Sequence, residues 1–162
     1  MAELDPDRTL ALTYVPTERR HALAALWRLD AALGAVLAGG REPLISQIKL
    51  AWWRDNLAKH DEAPPPAEPV LQEVARHILP RGIKGSQLAR MEEGWAILLS
   101  SAPLTSEELE NYSDMRGALL FRNSIQLLGG QMDLRLQRFG GGWALADLAR
   151  HSNSLDGQAA LE

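Results

Sequence analysis

Residues 41–56 read REPLISQIKLAWWRDN, and this segment constrains the fold more than any other. Glu42-Pro43 opens it, and proline is favoured at the first position of a helix, where its missing N–H costs nothing. Placed on a helix of about 100° per residue, Leu44, Ile45, Ile48, Ala51 and Trp52 share one side while Leu50, Trp53 and Leu57 fall on the other. The pattern predicts a helix from about Pro43 to Lys59. Apolar residues on both sides predict neighbours on both sides, hence an interior helix of an all-helical domain.

The rest of the chain carries helical punctuation too. Pro16 and Thr17, with Glu18 in the first turn, predict a helix start, and Gly39-Gly40 its stop; Leu23, Leu26, Trp27, Leu33 and Leu37 recur between them at helical spacing. Residues 63–69, APPPAEP, predict an extended loop, since consecutive prolines exclude helix. Helices are expected over Val70–Leu79, ended by Pro80 and Gly82, and over Ser86–Ser100 with Leu88, Met91, Trp95 and Leu98 inward. Thr105 with Glu108 three residues on reads as a capping box that opens a helix through Tyr112 to Leu120. Gly117 inside that helix costs about 1 kcal/mol relative to alanine, which predicts a close helix contact there. Gly140-Gly-Gly142 is expected to be a flexible connector ahead of a helix over Trp143–His151. No segment shows the alternation of a strand, and no fixed-period repeat is present.

Composition narrows the function classes. With 162 residues, 46% of them apolar, the chain is expected to form one domain, residues 1–162, with a substantial core. A net charge of -4 without a basic run argues against nucleic acid as a partner. The absence of cysteine removes disulfide and thiol chemistry. The apolar run from Ala22 to Gly40 is interrupted by Arg28 and Asp30, so no transmembrane segment is expected. His21, His60, His77 and His151 lack metal-ligand spacing, and no metal site is predicted from them.

Several blocks occur together in a recognisable order. Pro16-Thr-Glu-Arg-Arg20 is followed by Ala25-Leu26-Trp27, then by Glu42-Pro43 through Trp52-Trp53-Arg54-Asp55. Glu110-Asn-Tyr112 and Arg116-Gly-Ala-Leu-Leu-Phe121 come next, and Trp143-Ala-Leu-Ala-Asp-Leu-Ala-Arg150 last. Taken together, from about residue 14 to 151, they resemble the squalene/phytoene synthase family. The Glu-Pro…Trp-Trp block is similar to its branch with degenerate aspartate motifs, which includes a mitochondrial assembly factor for respiratory complex I. The resemblance implies an isoprenoid synthase-like antiparallel helical bundle. Active relatives are longer, so it also implies a short or truncated version with one apolar wall open to a second copy or a partner.

Active members hold Mg2+ between two aspartate-rich motifs, and the ions grip the diphosphate of a prenyl substrate; hard divalent cations need several converging carboxylates. Where the first motif belongs, this chain reads LDAALGAVLAGG, with Asp30 its one acid and Gly34 four residues later. The second motif belongs after Arg150, where the chain reads HSNSLD. The resemblance therefore makes Asp30, and Asp55 of the twin-tryptophan helix, candidate vestigial metal-site acids. The competing expectation, an ion-paired structural acid, is favoured for both because an unpaired buried charge is costly. Arg19 and Arg20 are the candidate diphosphate-binding cations, or else solvated first-turn arginines. Trp27, Trp52, Trp53, Trp95 and Tyr112 are candidates to line a prenyl cavity, or to be core.

Two functions are expected from this inventory. The first is a squalene/phytoene synthase-like pseudoenzyme without a cofactor, binding a prenyl lipid or a protein partner in the cytoplasm or at a membrane periphery. The second is an active prenyl transferase that condenses prenyl diphosphates with Mg2+.

Overall fold

The computed structural model describes residues 3–39, 42–100, 103–131 and 133–151, and among them every regular element is helical. In chain order these are α1 (Pro6–Thr13), α2 (Thr17–Ala38), α3 (Pro43–Lys59), α4 (Pro69–His77), a 3-10 turn (Leu79–Arg81), α5 (Gly85–Ala89), α6 (Met91–Ile97), α7 (Ser106–Tyr112), a π-helical segment (Ser113–Ala118), α8 (Leu119–Leu127) and α9 (Leu134–His151). Most starts have a local cause. The Asp5 carboxylate accepts from the Arg8 N–H at 2.8 Å, with Pro6 at the first helical position. Glu68 caps α4 in the same way, 2.7 Å from the Leu71 N–H. The capping box at Thr105 and Glu108 is formed in both directions.

α2 is the axis of the core. Leu23, Leu26, Leu29 and Leu33 are fully buried along it, and α4, α8, α3 and α6 pack around it. By length and composition α2 could cross a membrane. Its two internal charges are instead neutralised within the bundle, Arg28 by Glu73 at 3.0 Å and Asp30 by two arginines, as a core helix requires.

Several sequence expectations are corrected. α1 carries no signal in the family-like blocks, yet forms from its own cap. α2 starts on Thr17 itself, with Pro16 as the flanking residue and no side-chain cap. Pro69 opens α4 and does not extend the proline-rich loop, because proline suits the first helical turn. The expected helix over Ser86–Ser100 is two short helices, with the break at Arg90. The expected connector Gly140-Gly-Gly142 lies inside the continuous helix α9. A Cβ on Gly117 would run into the Gly140 backbone, and one on Gly140 would meet the Gly117 carbonyl at 2.7 Å. These glycines remove side chains where α9 crosses the π-helical segment, which outweighs their poor helix propensity.

The largest correction concerns α3. Of its residues only Ser46, Leu50 and Leu57 are buried, with Trp53 half-buried beside them. Leu44 is 66% exposed, Ile48 63% and Trp52 43%. α3 therefore packs by one seam against α2, α5 and α6 and is an outer helix, not an interior strut. Its second apolar stripe has no covering element among the described residues.

Candidate functional site

The middle of α2 faces α1, α6, the π-helical segment and α9, and charged side chains meet there. Asp30 is 1% exposed. Its Oδ2 accepts from Arg8 Nη2 at 2.9 Å and from Arg116 Nη2 at 3.4 Å; its Oδ1 accepts from Trp95 Nε1 at 3.1 Å and Arg116 Nε at 3.5 Å. Burial pushes the Asp30 carboxyl up, but the Arg116 and Arg8 guanidinium groups outweigh that and hold it below the ordinary value.

Arg116 is the hub. It is as buried as its partner and also bonds Asp147 of α9 at 2.7 Å, and its Nη1 donates to the Tyr112 hydroxyl at 2.6 Å. Its guanidinium lies 4.0 Å from the Trp95 ring centroid and 4.9 Å from that of Trp143, while Arg8 sits 5.2 Å from Trp143 on its own side. Burial opposes the charge on Arg116, and Asp30, Tyr112 and Asp147 together more than offset it, so the group stays a cation. Burial pushes the Tyr112 hydroxyl up to about 12, so it remains a protonated acceptor of that cation's hydrogen bond. His151 Nδ1 stands 3.3 Å from the other Asp147 oxygen at the rim.

A cavity of about 500 Å3 opens beside this cluster, bounded by Leu37, Leu98, Tyr112 and Leu148 with Trp95. Glu3, Asp5, Asp30 and Asp147 border it against two arginines, Arg8 and Arg116. At Gly34, one turn beyond Asp30, a Cβ would meet the Trp95 ring at 2.7 Å. The indole therefore occupies the place where a second carboxylate would project at four-residue spacing.

A divalent cation does not fit this arrangement. It would need several free carboxylate oxygens aimed at one point, whereas both oxygens of Asp30 are engaged by guanidinium and indole donors. Among the described residues no group of three or more metal-ligating side chains converges. The segment 152–156, where a second acidic motif was expected, lies outside the described residues.

The other candidates are dispersed. Arg19 donates to the Leu127 carbonyl at 3.1 Å, and Arg20 to Val15 at 3.0 Å and Thr13 at 3.4 Å, so both cap backbone away from the central cavity. Asp55 is exposed and paired at 3.0 Å with its neighbour Arg54. Trp95 and Tyr112 line the central cavity and Trp27 a separate groove, while Trp52 and Trp53 pack edge to face on α3 away from both. Arg8, Arg116 and Asp147 were missed as the counterions. The one available signal was an arginine, Arg116, heading an otherwise apolar run from Gly117 to Phe121.

Fold and site together define an all-α, isoprenoid synthase-like protein. A family model described as squalene/phytoene synthase matches residues 1–154, and the chain belongs to that family. No curated protein and no solved structure matches it.

Proposed function

We propose that this chain is a catalytically silent squalene/phytoene synthase-like protein that works by binding rather than by prenyl transfer. The observation that carries this reading is the closure of Asp30 by Arg116 and Arg8, with Trp95 seated on Gly34. An enzyme that ionises a prenyl diphosphate needs carboxylates free for metal ions, which then take up the charge of the leaving group. Here the central acid is consumed as a structural counterion, and the next position along its helix face has no room for another. The two arginines that line the cavity are themselves held by Asp30, Asp147 and Asp5, so neither is free to receive a diphosphate. Incubation with farnesyl and geranylgeranyl diphosphate plus Mg2+ is expected to release no diphosphate. Mg2+-dependent diphosphate release by the wild-type protein would overturn the proposal in favour of an active prenyl transferase.

One further observation favours a protein partner as the binding target, in the manner of an assembly factor. Leu44, Ile48 and Trp52 recur every four residues on α3 and stay exposed, an arrangement suited to a partner's apolar groove. Under this reading Ile48→Glu abolishes recovery of a specific complex from native lysate while leaving the melting temperature unchanged. Recovery of the same complex by the variant would remove α3 as the contact.

A further inference from the structure

A second concavity lies on the far side of the Arg8–Trp143 contact, between α1, α2, α8 and α9. It encloses about 390 Å3 and is walled by Trp27, Leu120, Phe121, Ile125, Leu136 and Trp143. Phe121 and Trp143 pack with centroids 6.0 Å apart at 43°, forming one continuous aromatic side. Sites for small ligands are commonly concave and mostly apolar, in the size range of this groove.

Its polar groups decide the kind of ligand. Trp27 Nε1 is already bonded to Ser124 Oγ at 3.3 Å. Arg8, the cation at the inner edge, donates to the Trp27 carbonyl at 3.2 Å and to Asp30 at 2.9 Å, and is paired with Asp5 at 3.3 Å. Asp7 stands at the mouth, 90% exposed and 3.9 Å from Arg150. Of the two charged residues in the lining, Arg8 is compensated by acids and Asp7 is the more exposed.

We infer that this groove binds an uncharged aliphatic chain, with a head no more polar than a hydroxyl, through apolar burial between Trp27 and Trp143. The inference rests on the reading of the chain as a binding protein and deepens it: an anionic head meets the Asp7 carboxylate and finds the lining cation, Arg8, already engaged by Asp30 and Asp5, while a neutral head needs no counterion. A hydrocarbon chain against three aromatic rings gains the transfer free energy of every buried methylene.

Matched probes test the head-group claim directly. Dodecanol is expected to raise the melting temperature saturably by several degrees, without Mg2+, while dodecyl phosphate of the same chain length gives a clearly smaller shift. Ala11, an exposed residue on the groove wall, provides a blocking variant: Ala11→Trp fills the space from the solvent side and should abolish the dodecanol shift while the apo melting temperature is retained. Equal or greater stabilisation by dodecyl phosphate, a requirement for Mg2+, no shift at all, or an undiminished shift in Ala11→Trp each overturns the inference. Diphosphate release from prenyl diphosphates would instead sink the silent-enzyme reading while leaving the groove result standing.

Discussion

Asp30 and Arg116, 86 residues apart in the chain, meet as an ion pair in which both side chains are at most 3% exposed. A buried pair of this kind stabilises little relative to apolar packing, but breaking it by removing one partner is expensive. Asp30→Ala, which removes the carboxylate shared by Arg116 and Arg8 but leaves Asp147 and Asp5 beside them, is expected to lower unfolding free energy by about 3 kcal/mol in urea titrations. Its pH behaviour fixes the mechanism. Because the folded carboxyl sits below its ordinary value of 3.8, its stabilisation is complete above that value and is lost as pH falls through the folded pKa. The wild type should therefore lose more stability than Asp30→Asn between pH 5 and pH 2, a range set from about the ordinary carboxylate value downward. Equal acid slopes would show that Asp30 carries no such linkage.

The contact of Gly34 with Trp95 predicts a substitution effect opposite in sign to helix propensity. Alanine is favoured over glycine in a helix by about 1 kcal/mol, yet a Cβ here must displace an indole ring. Gly34→Ala is expected to destabilise by about 1–3 kcal/mol, and Trp95→Leu should reduce that increment in a double-mutant cycle. Gly34→Asp, which restores the four-residue acid spacing, should destabilise further and confer no Mg2+-dependent diphosphate release.

Gly117 makes a parallel case at the crossing of α9. Gly117→Ala sets a methyl group against the Gly140 backbone, which cannot swing aside as a side chain can. A loss of about 1–3 kcal/mol is expected. A more stable Gly117→Ala protein in thermal denaturation would contradict the crossing geometry.

A pH dependence near neutrality is expected from the His21–His77 stack, whose ring centroids are 5.5 Å apart. Burial, then His21, Arg76 and Arg81, push His77 below its ordinary value of 6.5 and outweigh the opposing Glu73. The folded state thus disfavours the imidazolium. The stabilisation is present above 6.5 and is lost as pH falls through the lowered folded value. His77→Gln should flatten the melting temperature between about pH 7 and pH 5, the interval over which histidine changes charge.

Glu92 behaves in the opposite sense. Burial raises its carboxyl, with Glu93 and Asp55 adding to the effect and Arg54 opposing it. The charged form is therefore the destabilising one at neutral pH. Glu92→Gln is expected to melt higher than wild type at pH 7, with the difference shrinking as pH falls toward the raised folded pKa.

Much of the fold was legible because it depends on local chemistry. Proline at first turns, the Thr105–Glu108 box and the apolar spacing of Leu23, Leu26 and Leu33 act within one or two turns, so the sequence displays them directly. Gly117 was legible as a close contact because glycine inside a helix needs a reason. The glycine run at 140–142 misled for the complementary reason: glycine reads locally as a breaker, and only the opposing helix shows that small residues are needed there. α3 misled because two apolar stripes predict two neighbours, while the number of neighbours is a property of the assembled bundle.

By itself the sequence determined the helical class, the family and the scarcity of acids where metal-binding motifs belong, since these are matters of residue type and short-range spacing. Only the tertiary structure decided that Asp30 is neutralised by Arg8 and Arg116, that Trp95 fills the turn beyond it, and that Trp52 faces outward. Each of these depends on which distant surfaces meet, and pairing across 22 to 86 residues leaves no periodic trace in a single chain.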